Sequence, residues 1–190
     1  MKIIIIGLGL IGGSIAKALS SVQDYEILAF DSDQQSIKNA LHNQSIQGSL
    51  NSLNDLESAE YSHSLVIIST PPSVTNDILK SLDFLINSSV TIMDTTSTKS
   101  SLNKMLQEFN FPKNIIFSHP VAGSHLSGEK NSVANLFDGK STILSYHDSV
   151  VSQHVDRVIN LWNALGSNIT VLDAELHDKI FAYSSHLPHI

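Results

Sequence analysis

The chain of 190 residues contains no cysteine, a single arginine and a single tryptophan, and its longest apolar runs are four residues, as at positions 3–6. Each scarcity excludes something. Without cysteine there is no disulfide, no thiolate metal site and no thiol nucleophile, and because Lys2 leads into a short isoleucine run and then glycines, the opening residues are not expected to act as a secretory signal. These features set the expectation of a cytoplasmic protein. A membrane-spanning helix needs about 20 apolar residues, which no stretch supplies. Eleven Lys and Arg against 18 Asp and Glu give a formal charge of -7. That balance excludes a nucleic-acid partner or an anionic membrane, since those surfaces are held by clustered cations. The lone Arg157 matters because anionic substrates are commonly gripped by guanidinium groups. It falls inside a helix predicted over 149–165, away from any crevice, and is expected to be a solvated surface residue.

What is present is an alternation of β-branched runs with segments of helical periodicity. Strands are predicted at 2–6, 26–30, 64–69, 90–94, 115–118, 141–145 and 168–172. Helices are predicted at about 11–21, 33–43, 74–86, 99–109 and 149–165. This pattern specifies an α/β fold with a mainly parallel sheet covered by helices on both faces. The Ser/Asn-rich stretch 45–60 gives no clear signal. Asp33, Ser73 and Asp148 stand where helix N-caps belong, and Gly166 where a helix should stop. From Ala174 a new helical pattern starts and runs unfinished to Ile190, so the expected organisation is one domain over 1–173 and the first helix of a truncated second domain over 174–190.

The opening GLGLIG places Gly7, Gly9 and Gly12 as G-x-G-x-x-G directly between a predicted strand and a predicted helix. In that context the first glycine allows a tight turn, the second lets backbone approach a pyrophosphate and the third brings helix against strand. Leu8, Leu10 and Ile11 complete the loop, whose amides would face the phosphates. Asp31 follows the second strand, nineteen residues beyond Gly12. Its carboxylate would bond a ribose 2′-hydroxyl, and its neighbours Ser32 and Asp33 offer no cation for a 2′-phosphate. NAD is therefore expected over NADP. Ser69, Thr70 and Pro71 end the next strong strand and would line the cofactor's path, although Pro71 and Pro72 equally suit a rigid turn.

Hydride chemistry needs a group to exchange a proton, and histidine suits that task because it titrates near neutrality. Of nine histidines, His42, His63, His147 and His154 sit in polar contexts and are expected at the surface. His119 ends the strand NIIFS and precedes Pro120, Ala122 and Gly123, which leaves room for a ligand. Lys99 either sits near the cofactor's charge or begins a helix. His186 and His189 are three residues apart, but without a third ligand they do not read as a zinc site.

Taken together, GLGLIGGS, DTTSTK at 94–99, SHPVAGSHLSG at 118–128, NLFDGK at 135–140 and HDKIFAYSSHLPH at 177–189 resemble the prephenate dehydrogenase family. The resemblance implies a Rossmann-type nucleotide-binding domain followed by an all-helical domain that binds substrate carboxylates and forms a homodimer. It further implies NAD-dependent oxidative decarboxylation of prephenate to 4-hydroxyphenylpyruvate. His119 matches the catalytic histidine and Ser97 the serine that orients histidine and hydroxyl, while Gly123, His186 and His189 would face the substrate. Thr96 departs from the glycine usual in the family, which bears on the loop geometry around Ser97. Prephenate and arogenate are not distinguished. Two other readings are a β-hydroxyacid or imino-acid type dehydrogenase and a non-catalytic NAD-sensing module, the latter requiring no proton-transfer residue near the nicotinamide.

Overall fold

The computed structural model describes residues 1–99, 106–122, 128–174 and 176–177. Strands β1 (Lys2–Ile6), β2 (Glu26–Phe30), β3 (Gly48–Ser49), β4 (Leu65–Ile68), β5 (Thr91–Asp94), β6 (Ile115–Pro120), β7 (Ser141–Ser145) and β8 (Asn168–Val171) form one sheet. Their order is β3-β2-β1-β4-β5-β6-β7-β8. Only the β6 to β7 pairing is antiparallel, with His119 opposite Ile143. The parallel strands β1, β2, β4, β5 and β6 therefore end on a common edge.

Side chains alternate between the faces of a strand, so the central isoleucines divide between two cores. Ile3, Ile5, Leu65, Ile67 and Met93 face α1 (Leu10–Leu19), α2 (Gln34–His42) and α4 (Ser152–Ala164). Ile4, Ile6, Val66, Ile68 and Ile92 face the layer built by α3 (Pro72–Ser81) and the 3₁₀ turns Leu53–Glu57 and Asp83–Leu85. Strands buried on both faces require the continuous apolar runs IIII and LVII, which is why these segments do not alternate in sequence.

Six of the seven predicted strands lie within one residue of their places, and the seventh, 115–118, continues two residues further to Pro120. The sheet gains β3, a two-residue strand inside the stretch that gave no clear signal. Of the helix predicted at about 99–109, residues 106–108 are helical, Phe109 is in a turn, and 100–105 lie outside the described residues. Asp33 caps α2 by accepting from the Gln35 amide, and Gly166 ends α4 with φ +73°. Ser73 and Asp148 are not caps. Pro71 occupies the N-cap of α3 with Pro72 following, and Val151 that of α4. Proline is favoured in a helix's first turn, where an amide would lack a partner anyway.

Two surface expectations fail at the opposite edge of the sheet. His154 is buried, its Nδ1 2.7 Å from Thr91 Oγ1. Arg157 is half-buried and donates to Ser89 O at 2.8 Å and Thr91 Oγ1 at 3.0 Å. Both fasten α4 to the start of β5, so the guanidinium serves the fold rather than the solvent. Burial, followed by the nearby Arg157 charge, pushes the His154 pKa below its usual value.

Candidate nucleotide and substrate site

The strand order reverses between β1 and β4, and crevices for ligands open at such switch points beyond the carboxyl ends of the strands. Gly7 leaves β1 with φ +94°, and a Cβ there would lie 2.7 Å from Ser69 O. A Cβ on Gly12 would fall 1.9 Å from Gly7 O. Only glycines let β1, the loop and α1 approach this closely. Gly9 meets nothing within 4 Å and faces open space. It is also the N-cap of α1 and provides no side-chain hydrogen bond to the helix. The first-turn amides of α1 thus have no side-chain cap, and the positive end of the helix dipole points into the crevice. This is a cradle that an anion completes.

Asp31 joins the loop from β2. Its Oδ2 accepts from the Leu8 amide at 2.6 Å and its Oδ1 from the Asp33 amide at 2.7 Å. The Ser36 hydroxyl and then the Gln35 amide hold the Asp33 carboxyl below its usual pKa, so a second anionic charge stands beside Asp31. A cavity of about 420 Å³ is lined by Gly7, Gly9, Asp31, Ser32, Ser69, Thr70 and Pro71 among others. The residues present fit a dinucleotide whose ribose lies at Asp31 and whose pyrophosphate lies over Gly9. A 2′-phosphate would meet the Asp31 carboxylate there.

A second cavity of about 450 Å³ shares Gly9, Ser69, Thr70 and Pro71 with the first, and adds Leu10, Ile11, Ser97, His119 and Gly128. Most of the expected cofactor residues and the expected proton-transfer pair therefore border two adjoining cavities with a common wall. Pro71 and Pro72 both open α3 and line this space, so a rigid turn and a cavity wall are the same feature. Gly123, His186 and His189 lie outside the described residues.

Beneath this cavity is a polar core that the sequence reading did not foresee. Lys99 is fully buried, and residues 100–105, on which its expected place at a helix start depends, lie outside the described residues. Its Nζ donates to Asp94 Oδ1 and Oδ2 at 3.0 Å each, and to Thr96 O and Ser118 O at 2.7 Å. Asp94 also accepts from the Ser118 amide at 3.2 Å, the Thr96 amide at 2.9 Å and the Thr96 hydroxyl. Thr96 does not take a positive φ, and its hydroxyl is spent on Asp94. The absence of glycine at this position thus leaves the loop intact. One ammonium ties the segment before Ser97 to the residue before His119.

His119 is half-buried, and its Nδ1 lies 2.8 Å from His177 Nε2. The two rings meet edge to face, with centroids 5.0 Å apart. His177 is fully buried. It stands at the head of the HDK block quoted above, yet it carried no assigned role.

Comparison with known proteins agrees with this geometry. Residues 15–171 match the family model described as the nucleotide-binding domain of prephenate dehydrogenase. The chain is 33% identical over 193 residues to prephenate dehydrogenase of Lactococcus lactis, covering 100% of this chain and 51% of that protein. It is 32% identical to cyclohexadienyl dehydrogenase of Zymomonas mobilis, covering 99% of this chain and 64% of that one. The crystal structure of Aquifex aeolicus prephenate dehydrogenase with hydroxyphenyl propionate and NAD+ superposes with a TM-score of 0.88 at 30% identity, across 100% of this chain and 65% of that one. The chain thus spans about half to two thirds of the length of these relatives. The glycine cradle, the parallel sheet and the matched family model lead to one conclusion: the chain belongs to the prephenate dehydrogenase family and carries its nucleotide-binding domain.

Proposed function

We propose that this chain forms the NAD-binding part of a dehydrogenase that converts prephenate to 4-hydroxyphenylpyruvate by oxidative decarboxylation, with arogenate as the alternative substrate. The observation that carries the reading is the shared crevice, in which His119 and Ser97 border the same cavity as the glycine loop. Bound NAD supplies an acceptor for the hydride that leaves the ring carbon bearing the hydroxyl.

The chain's residues do the rest. Gly7, Gly9 and the first amides of α1 hold the pyrophosphate, and Asp31 fixes the adenosine ribose through its 2′-hydroxyl. Ser97 orients the substrate hydroxyl toward His119, whose imidazole takes the hydroxyl proton as the carbon–oxygen bond gains double-bond character. The ring carboxylate then departs as CO2. The electron pair of its carbon–carbon bond enters the ring and aromatises it, and His119 returns the proton to the phenolate oxygen. One hydride leaves, one CO2 leaves and no net proton is released.

Steady-state oxidation of prephenate and of arogenate with NAD, measured on the complete protein, tests the reading. Turnover of neither substrate, with NAD binding intact, would overturn it and favour a nucleotide-sensing role.

A further inference from the structure

His177 reaches His119 by a fixed route. Strand β7 lies beside β6 and β8 beside β7, with Leu144 opposite Val171. Just past β8 the Leu172 amide donates to Leu144 O at 2.9 Å, and Ser145 Oγ donates to Leu172 O at 2.7 Å. Asp173 then starts a helical turn, accepting from the Leu176 amide at 3.2 Å through its carboxylate and from the His177 amide at 2.8 Å through its carbonyl. The His177 ring is thereby carried back to the face of β6 that holds Phe117 and His119, and placed against His119 Nδ1 at 2.8 Å.

Two neutral imidazoles this close share one proton, and heavy-atom positions do not reveal which ring donates it. The choice has a chemical consequence. If His177 donates, His119 Nδ1 accepts, the His119 proton sits on Nε2 and the ring has no lone pair for a substrate hydroxyl. If His119 donates through Nδ1–H, its Nε2 is an acceptor. Because Nδ1 is committed to His177, a proton exchanged with a ligand in the cavity must pass through Nε2.

We propose that His177 is a positioning residue: it accepts the Nδ1–H of His119 and holds that ring in the tautomer whose Nε2 accepts a proton. The proposal rests on the dehydrogenase reading for its purpose, but the tautomer is measurable without turnover. A neutral histidine in this role fixes ring orientation without adding a negative charge to the cavity. It also makes the readiness of His119 depend on the segment that follows β8.

Long-range proton–nitrogen correlation spectra of the 190-residue chain labelled with 15N-histidine decide the matter, recorded at alkaline pH where both rings are neutral. The expected result is a pyridine-like Nε2 and a pyrrole-like Nδ1 for His119. His177→Gln, which keeps a carbonyl acceptor, should preserve that pattern. His177→Leu should move His119 toward the Nε2–H form that unconstrained neutral histidine prefers. In the complete protein, His177→Leu should lower kcat at least about tenfold, the direction seen when the tautomer-fixing partner of a catalytic histidine is lost, with NAD affinity unchanged and partial rescue in His177→Gln. A protonated His119 Nε2 in the parent chain overturns the proposal even if His177→Leu fails to fold. An unaltered tautomer in a folded His177→Leu overturns it too. Absence of turnover in the parent protein would instead count against the dehydrogenase reading and leave the tautomer assignment standing.

Discussion

Replacing Lys99 by methionine removes a charge from a site with no access to water. The Lys99 and Asp94 side chains are 0% and 1% exposed, and the ammonium binds both carboxylate oxygens together with the carbonyls of Thr96 and Ser118. Methionine fills similar volume but donates nothing, leaving the Asp94 charge buried without its cation. Removing one partner of a buried pair costs about 3–5 kcal/mol, far above the 0–1 kcal/mol of an exposed pair. For a chain of this size, with a urea slope of about 2–3 kcal/mol per molar, the unfolding midpoint is expected to fall by about 1–2.5 M. The loss should be nearly the same in high salt, because screening ions do not reach the pair. The Lys2–Glu60 pair, 2.9 Å apart at the surface with Glu60 56% exposed, supplies the contrast and should contribute little. Adding Asp94→Asn to Lys99→Met should cost less than the sum of the two single changes, since it removes the stranded charge. A cost for Lys99→Met below about 1 kcal/mol would show that the ammonium is solvated and refute the buried-pair account.

In the complete protein, His119→Asn should lower kcat by about 10² to 10⁴, the usual range for general acid–base catalysis, with little change in NAD affinity; near-normal turnover across pH would make His119 structural. The chain should bind NAD more tightly than NADP by calorimetry, because two unit charges about 4 Å apart repel by roughly 4 kcal/mol at an effective dielectric near 20; equal affinities would deny Asp31 its role. Gly12→Ala places a methyl 1.9 Å from Gly7 O, so thermal scans should show a loss of at least about 1–3 kcal/mol and titrations a loss of nucleotide binding. Because the His154 pKa is lowered by folding, its contribution is complete above its unfolded value of about 6.5 and is lost as pH falls through the folded value. His154→Gln should therefore flatten the acid limb of stability against pH below neutrality, and an unchanged limb would assign the acid loss to other groups.

The sheet was legible because buried parallel strands need apolar runs rich in β-branched residues, and IIII and LVII are such runs bounded by turn residues. Strand β3 was not. Gly48 and Ser49 carry no propensity for a strand, and the pairing exists because β2 offers an edge at Leu28 and Ala29. The caps expected at Ser73 and Asp148 failed for a related reason. A serine or aspartate near a helix start is a competent cap, but Pro71 with Pro72 and Val151 set where the chain turned, leaving the Ser73 hydroxyl inside its helix and the Asp148 carboxylate outside.

The site was legible where chemistry is written in contiguous residues and illegible where it is assembled across the fold. Gly7, Gly9, Gly12 and Asp31 follow from a motif with a fixed spacing, and His119 from its place at a strand end. His177 lies 58 residues from its partner, and no local pattern announces the contact. Lys99 keeps to the rule that lysine is almost never fully buried unless paired, but its partner Asp94 reads locally as a strand terminus, so the pairing left no local signal. Buried polarity alone does not separate function from support. Asp94, Thr96, Lys99, Ser118 and His177 gather under the carboxyl edge of the sheet, and Thr91, His154 and Arg157 form a comparable cluster at the amino edge. The second cluster is also hydrogen-bonded at 2.7–3.0 Å, yet it borders neither crevice cavity and fastens a helix. What distinguishes the first is the edge it occupies. In a parallel sheet all the strand ends and the uncapped start of α1 converge there, so a polar group buried at that edge meets ligand chemistry, while the same group at the other edge meets only the chain.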